Sequence, residues 1–396
     1  MKTRLFSLFL FLSTLAAAQT YTESVLYTFT STDGTYPVGL AIDSKGTLYG
    51  TTQYGGYQSG VCNQGGCGTI FKLVGGKETI LHQFTAGTDG ALPNAAVTVD
   101  KSGNIYGTTI FGGLGYGVVF KLTAAGKYSI LHTFGKTTSD GKYPLGPVTL
   151  DSAGNLYGTT SDFNVCDSEC PAVKDAGFGM IWKLSPSGAE TILYAFGDNG
   201  NPTANVIRDG QGNLYGGAFA GNSTATAFYG GALFKVPAKG QESTLYAFCS
   251  MADCADGVDP SYTVRDSKGN FYTEVQGAGT SLQGAIAKVT PAGVETLLYQ
   301  FCVLTSCMDG GVTSGPLLIS GGNLYGTAVD GGTYTSGVVW ELTPNGTETV
   351  VYSFGGFAGD AVNPRSGVVS DSTGNLYGIA QGGTNGAGAV FKLTKN

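Results

Sequence analysis

The chain has 396 residues, and its composition excludes several classes of protein before any motif is considered. Its 65 glycines follow no Gly-X-Y period, which excludes collagen, and 42% hydrophobic residues are too many for a disordered chain. The net charge is −7, with 28 acidic and 21 basic residues and no basic cluster. Nucleic acid and anionic membranes are therefore not expected as partners.

The N-terminus carries the pattern of a secretory signal peptide. Lys2 and Arg4 precede an apolar segment, Leu5–Leu15, and Ala16–Ala18 supply the small residues of a cleavage site. The apolar segment is too short for a membrane span, which needs about 20 residues. We therefore expect residues 1–18 to be removed, leaving an extracellular or periplasmic protein that begins near Gln19 and does not insert into a membrane.

A tyrosine motif recurs at intervals of about fifty residues, a spacing typical of propellers, solenoids and arrays. Its clearest copy is Asp151-Ser-Ala-Gly-Asn-Leu-Tyr-Gly-Thr-Thr160. The seven tyrosines are Tyr49, Tyr106, Tyr157, Tyr215, Tyr272, Tyr325 and Tyr377. Because repeats of this kind bury their faces against each other, residues 19–396 are predicted to form a single domain.

Each repeat contains four short runs that are rich in β-branched and aromatic residues and bounded by Gly, Pro, Asn or Asp, which is typical of strands. Strand a precedes Asp-x-x-Gly, and strand b carries Leu-Tyr-Gly. Strand c is similar to Val118–Thr123, and strand d to Glu190–Phe196. Four strands per repeat are typical of one propeller blade. The predicted fold is therefore an all-β, seven-bladed β-propeller with four-stranded blades.

The order of the runs predicts how the ring closes. Glu23–Phe29 is a d strand with no a, b or c strand before it, and Val390–Thr394 is a c strand with no d strand after it. The N-terminal strand is therefore predicted to complete the last blade, which removes an exposed sheet edge.

From about Tyr21 to Asn396 the chain resembles the GloVer-type tandem repeats of the choice-of-anchor secreted proteins. The resemblance rests on Asp-Ser-x-Gly-Asn-Leu-Tyr-Gly-Thr-Thr, Gly-Val-Val-Phe-Lys-Leu-Thr and Glu-Thr-Val-Leu-Tyr-Ser-Phe. It implies a secreted bacterial propeller-like protein and no known activity. Members of that family often carry a C-terminal surface anchor, whereas this chain stops just after its last strand, so release rather than tethering is expected.

One face of the predicted propeller carries the variable loops. The a–b and c–d turns on the other face are short, whereas three b–c loops are long: Thr51–Gly68, Thr159–Phe178 and Gly217–Gly230. Long loops on a rigid scaffold are where binding usually resides.

All eight cysteines lie in the b–c and d–a loops of this variable face. They form four local pairs, which are Cys62 with Cys67, Cys166 with Cys170, Cys249 with Cys254, and Cys302 with Cys307. Export favours a disulfide within each pair. Zinc is the alternative interpretation, and it is disfavoured because no histidine lies near the cysteines.

The two histidines, His82 and His132, occupy the strand d position that holds tyrosine in the other repeats. They are predicted to pack between blades, far from the axis. A histidine-based catalytic triad or a histidine-rich metal site is therefore not expected, and no cofactor is predicted apart from calcium.

Two sets of aspartates recur with the repeat. The first set precedes x-x-Gly in the a–b turns, where Asp is expected to accept hydrogen bonds from the turn backbone. Its members are Asp43, Asp100, Asp151, Asp209, Asp266 and Asp371, with Ser320 in the sixth copy. The second set lies in the d–a loops, where the alternatives are a turn role and a ring of calcium ligands at the channel mouth. Its members are Asp33, Asp89, Asp140, Asp198, Asp256, Asp309 and Asp360.

Three carboxylates break the repeat in strand b or just beyond it and are the candidates for acid–base chemistry on a glycoside. Glu274 replaces a threonine, and Asp330 and Asp162 lie just beyond strand b of blades six and three. The alternative is that these are surface positions that have drifted.

Aromatic residues collect in the variable loops and suit sugar stacking or a protein interface, although they also suit small loop cores. They are Tyr54, Tyr57, Phe111, Tyr116, Phe163, Phe178, Phe228, Tyr229 and Tyr334. The function indicated first is non-catalytic binding of a glycan or an extracellular protein by a monomer. The alternatives are an extracellular carbohydrate-active hydrolase or lyase that uses carboxylates near the channel, and a structural protein with no discrete ligand.

Overall fold

Seven antiparallel sheets follow one another around a ring in the computed structural model of the chain. The structure describes residues 21–396 apart from 59–61, 63–64, 138–139, 162–178, 197–200, 203, 220–229, 240–241, 279–282, 314 and 384. Within those ranges the helical segments are two short 3-10 turns, Ala252–Cys254 and Thr305–Cys307. The prediction of an all-β, seven-bladed propeller is confirmed.

The strands follow the predicted order in every blade. Blade 1 comprises β2 (Thr35–Ile42), β3 (Leu48–Tyr54), β4 (Thr69–Val74) and β5 (Lys77–Gln83). Blade 2 comprises β6 (Thr98–Val99), β7 (Ile105–Thr109), β8 (Val118–Leu122) and β9 (Tyr128–Thr133). Blade 3 comprises β10 (Thr149–Leu150), β11 (Leu156–Thr160), β12 (Met180–Leu184) and β13 (Glu190–Ala195). Blade 4 comprises β14 (Asn201–Pro202), β15 (Ile207–Arg208), β16 (Leu214–Phe219), β17 (Ala232–Val236) and β18 (Ser243–Ala247). Blade 5 comprises β19 (Thr263–Arg265), β20 (Phe271–Val275), β21 (Ala285–Val289) and β22 (Glu295–Gln300). Blade 6 comprises β23 (Gly311–Thr313), β24 (Leu318–Ser320), β25 (Asn323–Asp330), β26 (Val338–Leu342) and β27 (Glu348–Ser353). Blade 7 comprises β28 (Pro364–Ser370), β29 (Leu376–Ala380), β30 (Ala389–Lys395) and β1 (Tyr21–Thr28). In blades 4 and 6 strand a is split into two short strands, both paired with strand b.

The ring closes through the N-terminal strand, as predicted. β1 pairs antiparallel with β30, from Tyr21 opposite Lys395 to Thr28 opposite Ala389. The first strand of blade 1, β2, contacts β28 of blade 7 on one side and β6 of blade 2 on the other. The a strands therefore lie around the axis, and the d strands form the outer rim.

The glycine of Leu-Tyr-Gly makes room for an aromatic ring on strand c. A Cβ atom added at Gly158 would lie 2.3 Å from the Trp182 ring, and one at Gly326 would lie 2.2 Å from the Trp340 ring. Both tryptophans are fully buried. Blade 5 departs from this pattern at both positions, with Thr273 opposite Ala287, so the larger residue on strand b accompanies a smaller one on strand c. Packing between strands b and c thus explains the motif and its exception.

The aspartates of the a–b turns tie each turn to the tyrosine of strand b. Asp151 Oδ1 accepts hydrogen bonds from the backbone N–H groups of Ala153 and Asn155, and Oδ2 accepts from the Asn155 amide and the Tyr157 hydroxyl. Burial tends to raise the pKa of Asp151, but these hydrogen bonds hold it below its usual range. Lys183 on strand c lies over the Tyr157 ring, 5.9 Å from its centroid. The turn role predicted for this set of aspartates is what the structure shows.

Blade 6 departs from this arrangement at two charged positions together. Ser320 stands where the other copies have Asp, and Glu341 stands where they have Lys. The Tyr325 hydroxyl now donates to Glu341 Oε1 at 2.9 Å, and the Asn323 amide donates to the same oxygen. Strand c therefore supplies the carboxylate that the turn lacks.

We expect Glu341→Lys to destabilise the protein by about 1–3 kcal/mol, because the Tyr325 hydroxyl and the Asn323 amide lose their acceptor. Ser320→Asp alone should also destabilise it, because two carboxylates then lie beside Tyr325. The double variant restores the pair found in the other blades and should unfold close to the wild-type urea concentration. A double-mutant cycle measures this coupling, and additive losses in the double variant would refute it.

Candidate functional site

A cavity of about 260 Å³ lies on the propeller axis. Its lining comes from six of the seven blades, at the ends of strands a and b that join the d–a and b–c loops. The cavity therefore belongs to the variable face. The lining residues are Tyr36, Pro37, Val38, Gln53, Asn94, Ala95, Ala96, Pro147, Tyr262, Pro316, Arg365 and Gln381.

Aromatic, amide and guanidinium groups dominate the polar part of this lining. Tyr36 is 52% exposed and meets the edge of the Tyr54 ring, with 5.7 Å between the ring centroids. Arg365, which is exposed at the start of β28, is the single charged residue among the described residues of the lining. Burial, and to a smaller degree the nearby Glu274, raises the pKa of Tyr262 to about 12, so this phenol is neutral at physiological pH.

A turn that is repeated in the blades brings these residues to the axis. The residue before the proline that opens strand a adopts a left-handed conformation, with φ of 53° at Tyr36 and 52° at Asn363. The proline then packs against the glycine that directly precedes strand c of the adjacent blade: a Cβ added at Gly388 would lie 2.4 Å from the Pro37 ring. Residues just after this proline, such as Arg365, line the cavity.

The sequence interpretation missed the lining residues Tyr36, Gln53, Asn94, Tyr262, Arg365 and Gln381. A usable signal exists, because the proline recurs in most blades while the residues after it vary. Val38, Asn94 and Arg365 all occupy the position directly after that proline. A variable residue beside a constant one, repeated around a ring, marks a surface that is free to take up a specific ligand.

The two catalytic candidates that the structure describes, Glu274 and Asp330, are not among the residues that line the cavity. Glu274 on β20 is 4% exposed, and Ser261 Oγ donates to its Oε2 at 3.3 Å. Burial raises the pKa of Glu274 to about 8, and the Ser261 hydrogen bond opposes the shift. Asp330 is exposed at the end of β25, and Asp162 lies outside the described residues. A catalytic role for these carboxylates stays a prediction.

Of the aromatic candidates, two pack into the loops and two are open to solvent. Phe111 and Tyr116 contact Tyr143, with ring centroids 5.7 and 5.8 Å apart. Tyr57 is 43% exposed and Tyr334 is 51% exposed. Tyr54 borders the cavity through Tyr36. The remaining candidates, Phe163, Phe178, Phe228 and Tyr229, lie outside the described residues.

The aspartates of the d–a loops bind the tyrosine or histidine of strand d. Asp309 Oδ2 accepts from the Tyr299 hydroxyl at 3.0 Å and from the Val303 backbone N–H at 3.0 Å. The same pairing links the described members to their own strand d: Asp33 to Tyr27, Asp89 to His82, Asp140 to His132, Asp256 to Tyr246 and Asp360 to Tyr352. These carboxylates thus lie towards the outer rim, and Asp198 lies outside the described residues. Calcium binding by this set stays a prediction.

A glutamate of strand d lies beside this pair at most boundaries between blades, which we call seams, and was not singled out from the sequence. At the seam between blades 5 and 6, burial and then the Asp309 charge raise the pKa of Glu348 to about 8. Burial is likewise the main cause that raises the pKa to about 7 at Glu23, Glu78, Glu190 and Glu295, and that raises it at Glu242. The Glu that recurs at the start of six of the seven d-strand runs was the available signal.

Three of the four predicted disulfides are present in the structure. Cys62–Cys67 joins Cα atoms 5.2 Å apart, and Cys249–Cys254 and Cys302–Cys307 each join Cα atoms 4.0 Å apart. No free cysteine occurs among the described residues. These bonds are consistent with an extracellular location.

The fourth predicted disulfide falls on residues that the structure does not describe. Cys166 and Cys170 both fall within residues 162–178, which lie outside the described residues. A bond between Cys166 and Cys170 therefore stays a prediction, whereas the other three pairs are confirmed. Mass analysis of the unreduced protein after proteolysis would show whether the peptide that contains Cys170 is linked to Cys166.

Among the residues that the structure describes, no helix is long and apolar enough to cross a membrane.

The blade order, the ring closure and the axial cavity define a seven-bladed β-propeller. The family described as the Gloeobacter/Verrucomicrobia repeat matches residues 10–228 and 225–396, and the chain belongs to that family. This confirms the resemblance drawn from the motifs. A search of curated proteins finds no match.

Solved structures share the fold at low sequence identity. A catalytically inactive histidine-to-alanine variant of virginiamycin B lyase from Staphylococcus aureus, with quinupristin, superposes with a TM-score of 0.61 at 14% identity, over 95% of this chain and 100% of that one. A puromycin hydrolase matches at 0.57 and 13% identity, over 90% of this chain and 53% of that one. PorZ, a surface component of the type-IX secretion system of Porphyromonas gingivalis, matches at 0.53 and 13% identity, over 91% of this chain and 46% of that one. These similarities show the fold, and the functions named are too different to assign one here.

Proposed function

We propose that this protein is a secreted, non-catalytic module that binds a glycan in the axial cavity of its variable face. The observation that carries the proposal is the lining itself, which combines tyrosines, amides and one guanidinium and has no carboxylate or imidazole among its described residues. Such a lining offers many hydrogen bonds to hydroxyl groups, and it has no carboxylate or imidazole to act as a general acid or base.

The chemistry of the lining favours an acidic sugar. The side chains of Gln53, Asn94 and Gln381 can both donate to and accept from sugar hydroxyls. The Tyr36 and Tyr262 rings offer apolar faces with a polar edge, which suits the two sides of a pyranose. The Arg365 guanidinium supplies a planar pair of donors that matches a carboxylate such as that of a uronic acid.

The positions of both histidines support binding over histidine-based catalysis. His82 Nε2 lies 3.2 Å from Asp89 Oδ2, and His132 Nε2 lies 3.2 Å from Asp140 Oδ1, both at the outer rim. The lyase named above was inactivated by replacing a histidine. This chain has two histidines in all, and neither lines the cavity.

A glycan array probed with the mature protein tests the proposal, followed by mass analysis of the array. We expect saturable binding to uronic-acid-containing glycans, unchanged glycan masses, and affinity reduced at least about tenfold by Arg365→Ala, which corresponds to about 1.4 kcal/mol. Arg265→Ala is the matched control, because Arg265 lies over the Tyr215 ring at an a–b turn on the opposite face. Equal loss in both variants, or no binding to any glycan, would refute the proposal.

A carbohydrate-active hydrolase or lyase is the second candidate, and one observation favours it. Glu274 is buried behind Tyr262, and its raised pKa of about 8 keeps it protonated at neutral pH, as a general acid requires. In that case the same mass analysis would reveal shortened glycans, and Glu274→Gln would abolish the cleavage.

A further inference from the structure

Three side chains of different elements converge at the seam between blades 2 and 3. His132 lies on β9, Asp140 lies in the following d–a loop, and Glu190 begins β13 of the next blade. His132 Nε2 lies 3.2 Å from Asp140 Oδ1 and 3.6 Å from Glu190 Oε1. All three ligand atoms lie within 4.8 Å of one another, and His132 and Asp140 are 7% and 6% exposed.

No other seam of the described chain combines a histidine with two carboxylates. The usual set is tyrosine, aspartate and glutamate, as in Tyr299, Asp309 and Glu348. The seam between blades 1 and 2 has a histidine as well, but there the glutamate is replaced by Tyr128, whose ring stacks on His82 at 3.9 Å. Imidazole and paired carboxylates therefore meet at one place in the ring of repeats.

We propose that His132, Asp140 and Glu190 bind a divalent transition-metal ion of the Zn²⁺ type and thereby link blades 2 and 3. One imidazole nitrogen and two carboxylate oxygens are ligands that zinc accepts, with water in the fourth position. Zinc–ligand bonds of about 2.0–2.2 Å place neighbouring ligand atoms of a tetrahedron about 3.3–3.6 Å apart. The two distances from His132 Nε2 are close to that edge length.

A second observation points to a missing ligand. Oε1 of Glu190 is buried and makes no hydrogen bond of ordinary length among the described residues; it faces His132 Nε2 at 3.6 Å, beside the Asp140 carboxylate. A buried carboxylate oxygen without a partner is costly, and a bound cation removes that cost. The second oxygen of Asp140, Oδ2, accepts the Lys136 backbone N–H at 2.9 Å, which holds the carboxylate with Oδ1 towards His132. Such an outer hydrogen bond is typical of metal ligands.

The groups around the three ligands affect how strongly a cation binds, and the protonation of the ligands themselves makes that binding depend on pH. The Phe134 ring meets the edge of His132, with 4.8 Å between the centroids, and shields one side of the imidazole. The exposed Lys136 carries a positive charge that acts on Glu190 and weakens cation binding. Because the ion requires a neutral imidazole and ionised carboxylates, zinc affinity should rise with pH from mild acid to neutrality.

The test uses the full mature protein after treatment with a chelator, with Zn²⁺ alone as the probe. Isothermal titration should give one site per chain, zinc should raise the melting temperature, and Co²⁺ should give the visible absorption of a tetrahedral ion. His132→Tyr introduces the residue found at this position in the other blades and should lower zinc affinity at least about 100-fold. His82→Tyr is the matched control and should leave zinc binding unchanged.

A variant designed to gain a zinc site tests the proposal without relying on the loss of zinc binding. Tyr128→Glu introduces the glutamate of the other seams beside His82 and Asp89 and should create a second zinc site with the same Co²⁺ spectrum. The proposal is overturned if the wild-type protein binds no zinc, or if His132→Tyr and His82→Tyr have equal effects. A Tyr128→Glu variant that melts cooperatively and still binds one ion would overturn it as well.

Discussion

Deletion of residues 19–30 should leave a protein that no longer unfolds in one cooperative transition and that aggregates. These residues include β1, which is the outer strand of blade 7 and covers the edge of β30. They also include Phe29, which is fully buried between blades 7 and 1, and Val25, which packs on the core between blades 6 and 7. Loss of the fully buried Phe29 side chain alone costs about 1.5–3 kcal/mol, and the exposed edge of β30 then pairs with other chains.

Size-exclusion chromatography and thermal unfolding followed by circular dichroism would measure this effect. The control is a chain that begins at Tyr21, which keeps β1 and should melt like the mature protein. A deleted chain that stays soluble and monomeric, with the melting temperature of the control, would contradict the closure role of β1.

A circular permutant separates loss of the strand from loss of the chain order. The Thr22 hydroxyl lies 3.2 Å from the side chain of Asn396, so the two ends already meet as a hairpin. Joining Asn396 to residues 21–30, with Tyr21→Gly, recreates the Thr-Pro-Asn-Gly-Thr-Glu turn of Thr343–Glu348 with Lys in the place of Pro. This permutant should recover cooperative unfolding, because closure requires the strand and not a particular chain end.

Thermal stability should be highest near pH 4–5 and should fall as the solution becomes neutral and then basic. The seam glutamates have folded pKa values raised to about 7 or 8, so the folded protein binds more protons than the unfolded chain between about pH 4.5 and 8. The stability that these glutamates contribute is therefore fully present below their pKa in the unfolded chain, and it is lost as the pH rises through their pKa in the folded protein. The turn aspartates act in the opposite direction: their lowered pKa values stabilise the fold above about pH 4, and this contribution is lost in stronger acid.

Melting temperature measured from pH 3 to 9 checks this expectation. The triple variant Glu78→Gln, Glu295→Gln and Glu348→Gln keeps the shape of three seams without their titration, and it should flatten the decline between pH 5 and 8. Because these side chains are partly open to solvent, we expect about 1 kcal/mol per seam rather than the full 1.36 kcal/mol for every unit of the pKa shift. A wild-type melting temperature that rises from pH 5 to pH 8 would show that the seams do not hold these protons.

The repeat made most of the architecture readable from the sequence. Strand order, blade number and the role of β1 all follow from local patterns that recur seven times, so an irregular copy does not obscure the unit. The turn aspartates were also predicted correctly, because Asp151 and its counterparts act on residues within a few positions along the chain. Short loops likewise bring Cys62 to Cys67, and Cys302 to Cys307. Local contacts of this kind depend on neighbouring residues alone.

The axial cavity and the seams depend on contacts between different repeats, and only the tertiary structure decided them. Arg365, Asn94 and Tyr262 belong to separate blades and meet because the ring brings equivalent strand ends to one axis. His132 and Glu190 meet because strand d of one blade packs on strand d of the next. A strand's own residues determine its alternation and its turns, but which side chain it faces across a seam is set by the twist and closure of the whole ring.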